Sequence, residues 1–230
     1  MVLKGFQNSV KSVSQPTSVL LLSAEDTSGW CDQFTQEGYN VYHISCPLTN
    51  DDLTLFANTV NTSFAVITFG ISTECSTILA KALQSWRNLG LKACIHYCPS
   101  VDDGKELVIK DAEGRYVPTI FHISSSQEDI HASLLSLVDP ANLTYRLKVN
   151  EAFPLAVHTY PRVPASPAFP LLTTAPAAVI PGRTTSVDVY IVSATNIAYT
   201  KTLELLRREI GPALDLEKIW GEHIYYVRSP

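Results

Sequence analysis

Between Ser18 and Tyr160 short apolar runs alternate with amphipathic stretches, and that rhythm narrows the folds open to the chain more than any other feature. Ser18-Val-Leu-Leu-Leu-Ser23, Tyr39-Asn-Val-Tyr-His-Ile44 and Phe64-Ala-Val-Ile-Thr-Phe69 have the length and branched or aromatic content of buried strands. Leu91 to Tyr97, Val117 to Ile123 and Phe153 to Tyr160 repeat the pattern. Ser76 to Asn88 predicts a helix, with Ile78, Leu79, Ala82, Leu83 and Trp86 on one stripe and Gly90 just past the end. The segment carrying Trp30 and Phe34, closed by Gly38, predicts a second helix. Asp51 to Val60 and Gln127 to Val138 predict two more. Strand and helix in turn, with short links, predict an α/β fold with a doubly wound, mostly parallel sheet covered on both faces. Right-handed crossovers then gather the C-terminal ends of the strands on one edge, where such folds bind ligands.

The flanks break this rhythm. Residues 1–16 mix Lys4, Lys11 and several polar side chains and predict a flexible tail, leaving one domain over 17–211. Asp102 to Gly114 is charged and turn-rich, as in a surface excursion or small hairpin. Seven prolines between Pro154 and Pro181 exclude helix and central strand over most of that stretch. Val189 to Arg208 is helical by pattern, and Gly211-Pro212 stops it. A C-terminal tail over 212–230 follows, with a short helix at Leu214 to Trp220 and the aromatic run His223-Ile-Tyr-Tyr-Val227.

Composition removes several classes of function. A chain of 230 residues, 46% hydrophobic and 17% charged, suffices for one sizeable core. Its net charge of -5 and lack of any basic run argue against nucleic acid and against an anionic membrane surface as partners. No apolar stretch approaches the ~20 residues of a spanning helix. The N-terminus lacks the compact apolar run of a signal peptide. The five cysteines, odd in number and irregularly spaced, fit reduced thiols in a cytoplasmic protein. Cys94 and Cys98, four apart on a predicted strand, would share a face as a metal pair, but no second pair of ligands accompanies them.

One junction carries chemistry. Phe69-Gly70-Ile71-Ser72-Thr73-Glu74-Cys75 links the strongest strand to the clearest helix. G-x-S-x-G at such a turn is the nucleophile elbow of the α/β hydrolases, which holds a serine clear of the backbone above a helix N-terminus. Gly70 and Ser72 fit it, whereas Glu74 stands at the second glycine. Gly70-Ile-Ser-Thr-Glu-Cys75 resembles the elbow of the dienelactone hydrolases, whose nucleophile, usually cysteine, falls at Ser72. Val117-Pro-Thr-Ile-Phe-His-Ile123 is similar to that family's strand before the acid loop, and Ala156-Val-His-Thr-Tyr-Pro161 to its strand before the catalytic histidine. Tyr190-Ile-Val-Ser-Ala and Ala198 to Leu206 resemble its closing helix. The resemblance runs from about Ser18 to Leu206 and implies an α/β-hydrolase-like sheet, without recognisable first strands.

It also implies a site. Ser72 would attack the carbonyl of a small ester or lactone, and the backbone N–H of Thr73 with one from the Ala24–Glu25 loop would hold the oxyanion. Glu25 falls near the glutamate that the family sets beside its nucleophile. No metal or organic cofactor is implied. The departures are as specific. The family's catalytic aspartate falls at or beside Gln127, with Glu128 and Asp129 as substitutes. Its histidine belongs near Ser166 to Phe169, where none occurs, and His96 is the substitute base. Serine is a poor nucleophile unless a base takes its proton. Three functions follow. One is ester or lactone hydrolysis through Ser72, weakened or lost. The second is a pseudo-hydrolase binding a small molecule, or a protein or domain partner through the aromatic tail around Trp220, Tyr225 and Tyr226. The third is an isomerase or cyclase using the same pocket.

Overall fold

Every apolar run becomes a strand, in a sheet whose two faces are covered by helices that the intervening segments supply. The computed structural model describes residues 3–24, 27–101, 104–146, 154–164, 188–215 and 220. In chain order the first elements are β1 (Lys4–Phe6), β2 (Val13–Gln15), β3 (Ser18–Ser23), α1 (Ser28–Gln36), β4 (Asn40–Ser45) and α2 (Asn50–Thr59). Then come β5 (Phe64–Phe69), α3 (Thr73–Trp86), β6 (Leu91–Tyr97), a 3-10 turn at Gly104–Leu107 and β7 (Thr119–Ser124). The last are α4 (Glu128–Arg146), β8 (Leu155–Tyr160), α5 (Val189–Glu209) and β9 (Ala213–Leu214).

Seven strands form one mixed sheet in the order β1-β4-β3-β5-β6-β7-β8. All neighbours from β4 to β8 are parallel, and β1 closes one edge antiparallel to β4. The chain is thus α/β, with an antiparallel strand on an otherwise parallel sheet. Alternation along the strands splits the core in two. Val19, Leu21, Ile67 and Ile95 face α1 and α5, packing with Trp30, Phe34, Ala198 and Leu206. Leu20, Leu22, Val66 and Phe121 face α2, α3 and α4, packing with Phe56, Leu79, Leu83, Trp86 and Leu134. Among the described residues, no helix is long and apolar enough to cross a membrane.

The expected flexible tail is instead built into the fold. Lys4–Phe6 pairs with Val41–His43, and the Asn8 N–H donates to Asn40 Oδ1. An edge strand needs only one neighbour, so three residues of mixed polarity suffice and leave no apolar signature. Val13–Gln15 pairs with Ala213–Leu214, tying the segment before β3 to the segment after α5. Gly38 makes this approach possible. Its φ of +99 suits glycine, and a Cβ there would meet Val13 and Pro212 side chains at 2.9 Å. The Tyr39 hydroxyl donates to the Gly211 carbonyl and Arg207 pairs with Glu37, which fixes the end of α5 on α1. Helix α4 runs on past Val138, through Pro140, to Arg146. The C-terminal tail beyond Asp215 lies outside the described residues except for Trp220, which is exposed.

A buried polar chain crosses the sheet beneath α5. Thr202 Oγ1 lies 2.7 Å from the Tyr97 hydroxyl and 3.2 Å from His122 Nε2, and His122 Nδ1 lies 3.0 Å from the Tyr160 hydroxyl. Removing the shared hydroxyl strips partners from two buried groups. Thr202→Val should therefore lower unfolding stability by about 2 kcal/mol, whereas Thr202→Ser should retain most of it. Chemical denaturation of both variants measures this, and a stable Thr202→Val protein would refute it.

Candidate functional site

The junction singled out in the sequence lies at the C-terminal edge of the sheet, between β5 and α3. Strand pairing carries one residue past β5, since the Gly70 N–H donates to the Tyr97 carbonyl at 2.8 Å. Gly70 has φ +55, in the left-handed region. Ile71 is fully buried, and its carbonyl accepts the Ser100 N–H at 3.0 Å. The chain reverses at a residue with no side chain, and its next side chain enters the core.

Ser72 then begins the helix. Its φ is -68 and ψ 163, ordinary extended backbone, and its Oγ accepts the Cys75 N–H at 3.3 Å. This is the geometry of an N-cap, in which a serine oxygen satisfies one of the open N–H groups of the first turn. The strained elbow expected at Ser72 is absent, because the left-handed conformation has fallen two residues earlier, at Gly70. Ser72, Thr73 and Glu74 are all exposed, and Glu74 lies in the first turn, where a carboxylate suits the helix dipole. Helix α3 starts three residues before the predicted Ser76, since the cap extends it into polar sequence.

Among the described residues, none of the other expected site side chains bonds Ser72 Oγ. Glu25 lies outside the described residues, as does the Ser166 to Phe169 segment. Glu128 and Asp129 sit exposed in the first turn of α4. Gln127, at the family's acid position, is a brace. Its Oε1 accepts the Ser124 N–H at 3.2 Å and its Nε2 donates to the Pro99 carbonyl at 3.0 Å. His96 is fully buried within β6, with Nδ1 at 3.0 Å from Thr68 Oγ1. Burial pulls its pKa down to about 3, and a contact with the Leu107 backbone opposes this only in part. An imidazole so enclosed is held neutral and bonded to its own sheet, so it is not placed to take a proton from Ser72. Among the described residues, Ser72 Oγ has the Cys75 N–H as its hydrogen-bond partner, and no imidazole or carboxylate.

The described residues hold two buried histidine clusters, and the sequence reads His122 and His158 of the second as hydrogen-bonded core or edge histidines. His43 Nε2 lies 2.9 Å from Ser23 Oγ and 3.2 Å from Thr27 Oγ1, with all three residues buried at the start of α1. His122 belongs to the chain beneath α5 and stacks on half-buried His158 with ring centroids 5.6 Å apart. Burial first, then the charges of His158 and Lys201, keep His122 far below the ordinary imidazole range. A histidine among apolar residues gives no sign of which hydroxyls it meets. Cys94 and Cys98 pack into opposite cores, not one face. The strand ends at Tyr97, and Cys98 adopts φ +43, which breaks the alternation. Among the described residues, no group of three or more His, Cys, Asp and Glu is arranged to hold a metal ion. A polar groove of about 650 Å³ lined by Arg87, Lys92, Tyr116 and Glu209 opens at the opposite, N-terminal edge of the strands.

No protein-family model matches this chain, and no curated protein matches it either.

Two outcomes follow from this geometry. Ser72→Ala should cost about 1 kcal/mol of stability through loss of the cap, and Ser72→Asp should restore it; equal unfolding midpoints for all three proteins would refute the cap. His96 and His122 are held neutral when folded, while the unfolded chain protonates them near pH 6.5. Stability is then complete above that pH and falls as pH drops toward about 3, the folded value for His96. Urea unfolding across this range checks the sign. A midpoint that is flat from neutrality to moderate acid, or that rises on acidification, would contradict it.

Proposed function

We propose that this chain is a dienelactone hydrolase-like α/β-hydrolase domain in which acyl transfer through Ser72 has been lost, leaving a module that binds a small ester, lactone or related carboxylic compound at the C-terminal edge of its sheet. The family assignment rests on the Gly70 to Cys75 junction, the order of the strands that resemble the family, and the compatibility of a mostly parallel, doubly covered sheet with that fold. The loss of catalysis is carried by one observation, namely that Ser72 caps α3 with relaxed backbone while Gly70 takes the left-handed position.

The physical reason is simple. Acyl transfer needs a hydroxyl that projects above the helix N-terminus toward substrate and passes its proton to a base. Ser72 Oγ instead folds back onto the Cys75 N–H, thereby occupying a donor of the helix end that would otherwise face a developing oxyanion. His96, the substitute base, is enclosed beside Thr68. Glu128 and Asp129 are solvated helix-start carboxylates without an imidazole to orient. The exposure of Ser72 at the ligand edge is the observation that favours residual hydrolysis as a second function.

Hydrolysis of a small activated ester and of a dienelactone separates the two. Wild type and Ser72→Ala should give equal, near-background rates, with circular dichroism confirming that both are folded. Turnover that disappears in the variant would overturn the loss of catalysis and establish Ser72 as a working nucleophile. Binding is read separately, as a rise in the wild-type unfolding temperature on saturation with the lactone.

A further inference from the structure

The groove of about 650 Å³ at the N-terminal edge of the sheet lies between the α3–β6 connection and the loop from Asp111 to Pro118. Its charges are not balanced. Asp111 and Glu113 both pair with Arg115, at 2.8 and 3.1 Å, and Glu209 pairs with Arg208 at 2.6 Å. Asp111 also accepts the Glu113 and Arg115 N–H groups, which fixes the loop as one wall. Arg87 and Lys92 line the same groove and are exposed, and among the described residues neither side chain has an ion pair or hydrogen bond.

A bulge in the sheet puts Lys92 there. Phe64 pairs with Leu91 and Ala65 with Ala93, so Lys92 is one residue more than β5 can match. In a regular strand Leu91 and Ala93 would share a face, yet they pack into opposite cores. The extra residue takes Lys92 out of both cores and leaves it in the groove. Bulges are rare between parallel strands, and they re-aim side chains next to functional sites.

We propose that this groove is a ligand site that takes the phosphate of a small phosphate monoester. Such a group carries close to two negative charges near neutrality, which Arg87 and Lys92 match. Arg87 supplies a planar fork of donors for phosphate oxygens, and Lys92 a point charge. The volume is that of a small-molecule pocket, larger than a phosphate alone requires. Leu91, Val117 and half-buried Tyr116 supply apolar surface for an organic group, and Lys110 Nζ stands 4.7 Å over the Tyr116 ring. The paired carboxylates of the rim disfavour extended polyanions, in keeping with a small ligand rather than nucleic acid. The site lies at the opposite edge of the sheet from Ser72 and stands whether or not that residue is a nucleophile.

Phenyl phosphate is the probe, titrated into isotope-labelled protein at about pH 8, where it is dianionic, and at constant ionic strength. Benzenesulfonate, its singly charged counterpart, is titrated alongside. Amide resonances should shift at Arg87 to Lys92 and at Asp111 to Tyr116, saturating at one ligand per chain, and benzenesulfonate should bind about tenfold more weakly. Arg87→Gln and Lys92→Gln should each weaken phenyl phosphate about tenfold, with unchanged unfolding midpoints because both side chains are exposed. Lys81→Gln, at an exposed lysine of α3 outside this groove, should bind as the wild type does. Shifts that do not saturate or that centre elsewhere, equal affinity for the two anions, or full affinity in both groove variants would each overturn the proposal.

Discussion

Strand β5 is buried at every residue, paired with β3 on one side and β6 on the other, and covered on both faces. A strand held in this way has no freedom in register, because slipping by one residue would turn each apolar side chain into the wrong core. Where it ends is equally constrained. Gly70 still pairs with β6, and Ile71 must enter the core shared with α3, so the reversal has to occur at Gly70 itself. Left-handed backbone costs glycine little. The next residue free to face solvent is Ser72, which arrives where α3 needs a cap. The candidate site is thus a consequence of how a fully buried strand hands over to a helix.

The same handover governs the edge as a whole. Trp30, Phe34 and Tyr199 interlock above one face of the sheet, with ring centroids 5.3 to 6.0 Å apart, so α1 and α5 are seated together. Two buried histidines enter the interior with hydroxyl partners. His43 takes Ser23 and Thr27, and His122 takes Thr202 and Tyr160. Burying an imidazole without such bonds would cost several times the net worth of one hydrogen bond. These clusters spend the imidazoles of the central sheet on structure. That is the physical reason why strands rich in histidine place none beside Ser72.

The sequence revealed most of the fold and little of the site. Ser18–Ser23, Phe64–Phe69 and Leu91–Tyr97 were legible to the residue, because burial on both faces demands mostly apolar runs with sharp ends. The edge strands Lys4–Phe6 and Val13–Gln15 were not, since single-sided pairing through backbone groups asks nothing of side-chain type. At the junction, Gly70 and Ser72 were visible as letters, but the letters do not say which residue carries the left-handed φ. Gln127 shows the same limit. A glutamine at an expected acid position carries no sign that its amide bridges Ser124 to Pro99.

Cap and nucleophile are competing fates for one serine. A nucleophile in the elbow is held in strain so that its oxygen projects to substrate, and the surrounding fold must sustain that cost. A cap lowers the energy of the same helix by turning the oxygen inward. With glycine in the left-handed position and Glu74 where the elbow wants a small residue, nothing enforces the strained alternative. Ser72 therefore falls to the cap, the lower-energy state. Among the described residues no base bonds the hydroxyl, and helix stability is what the residue contributes.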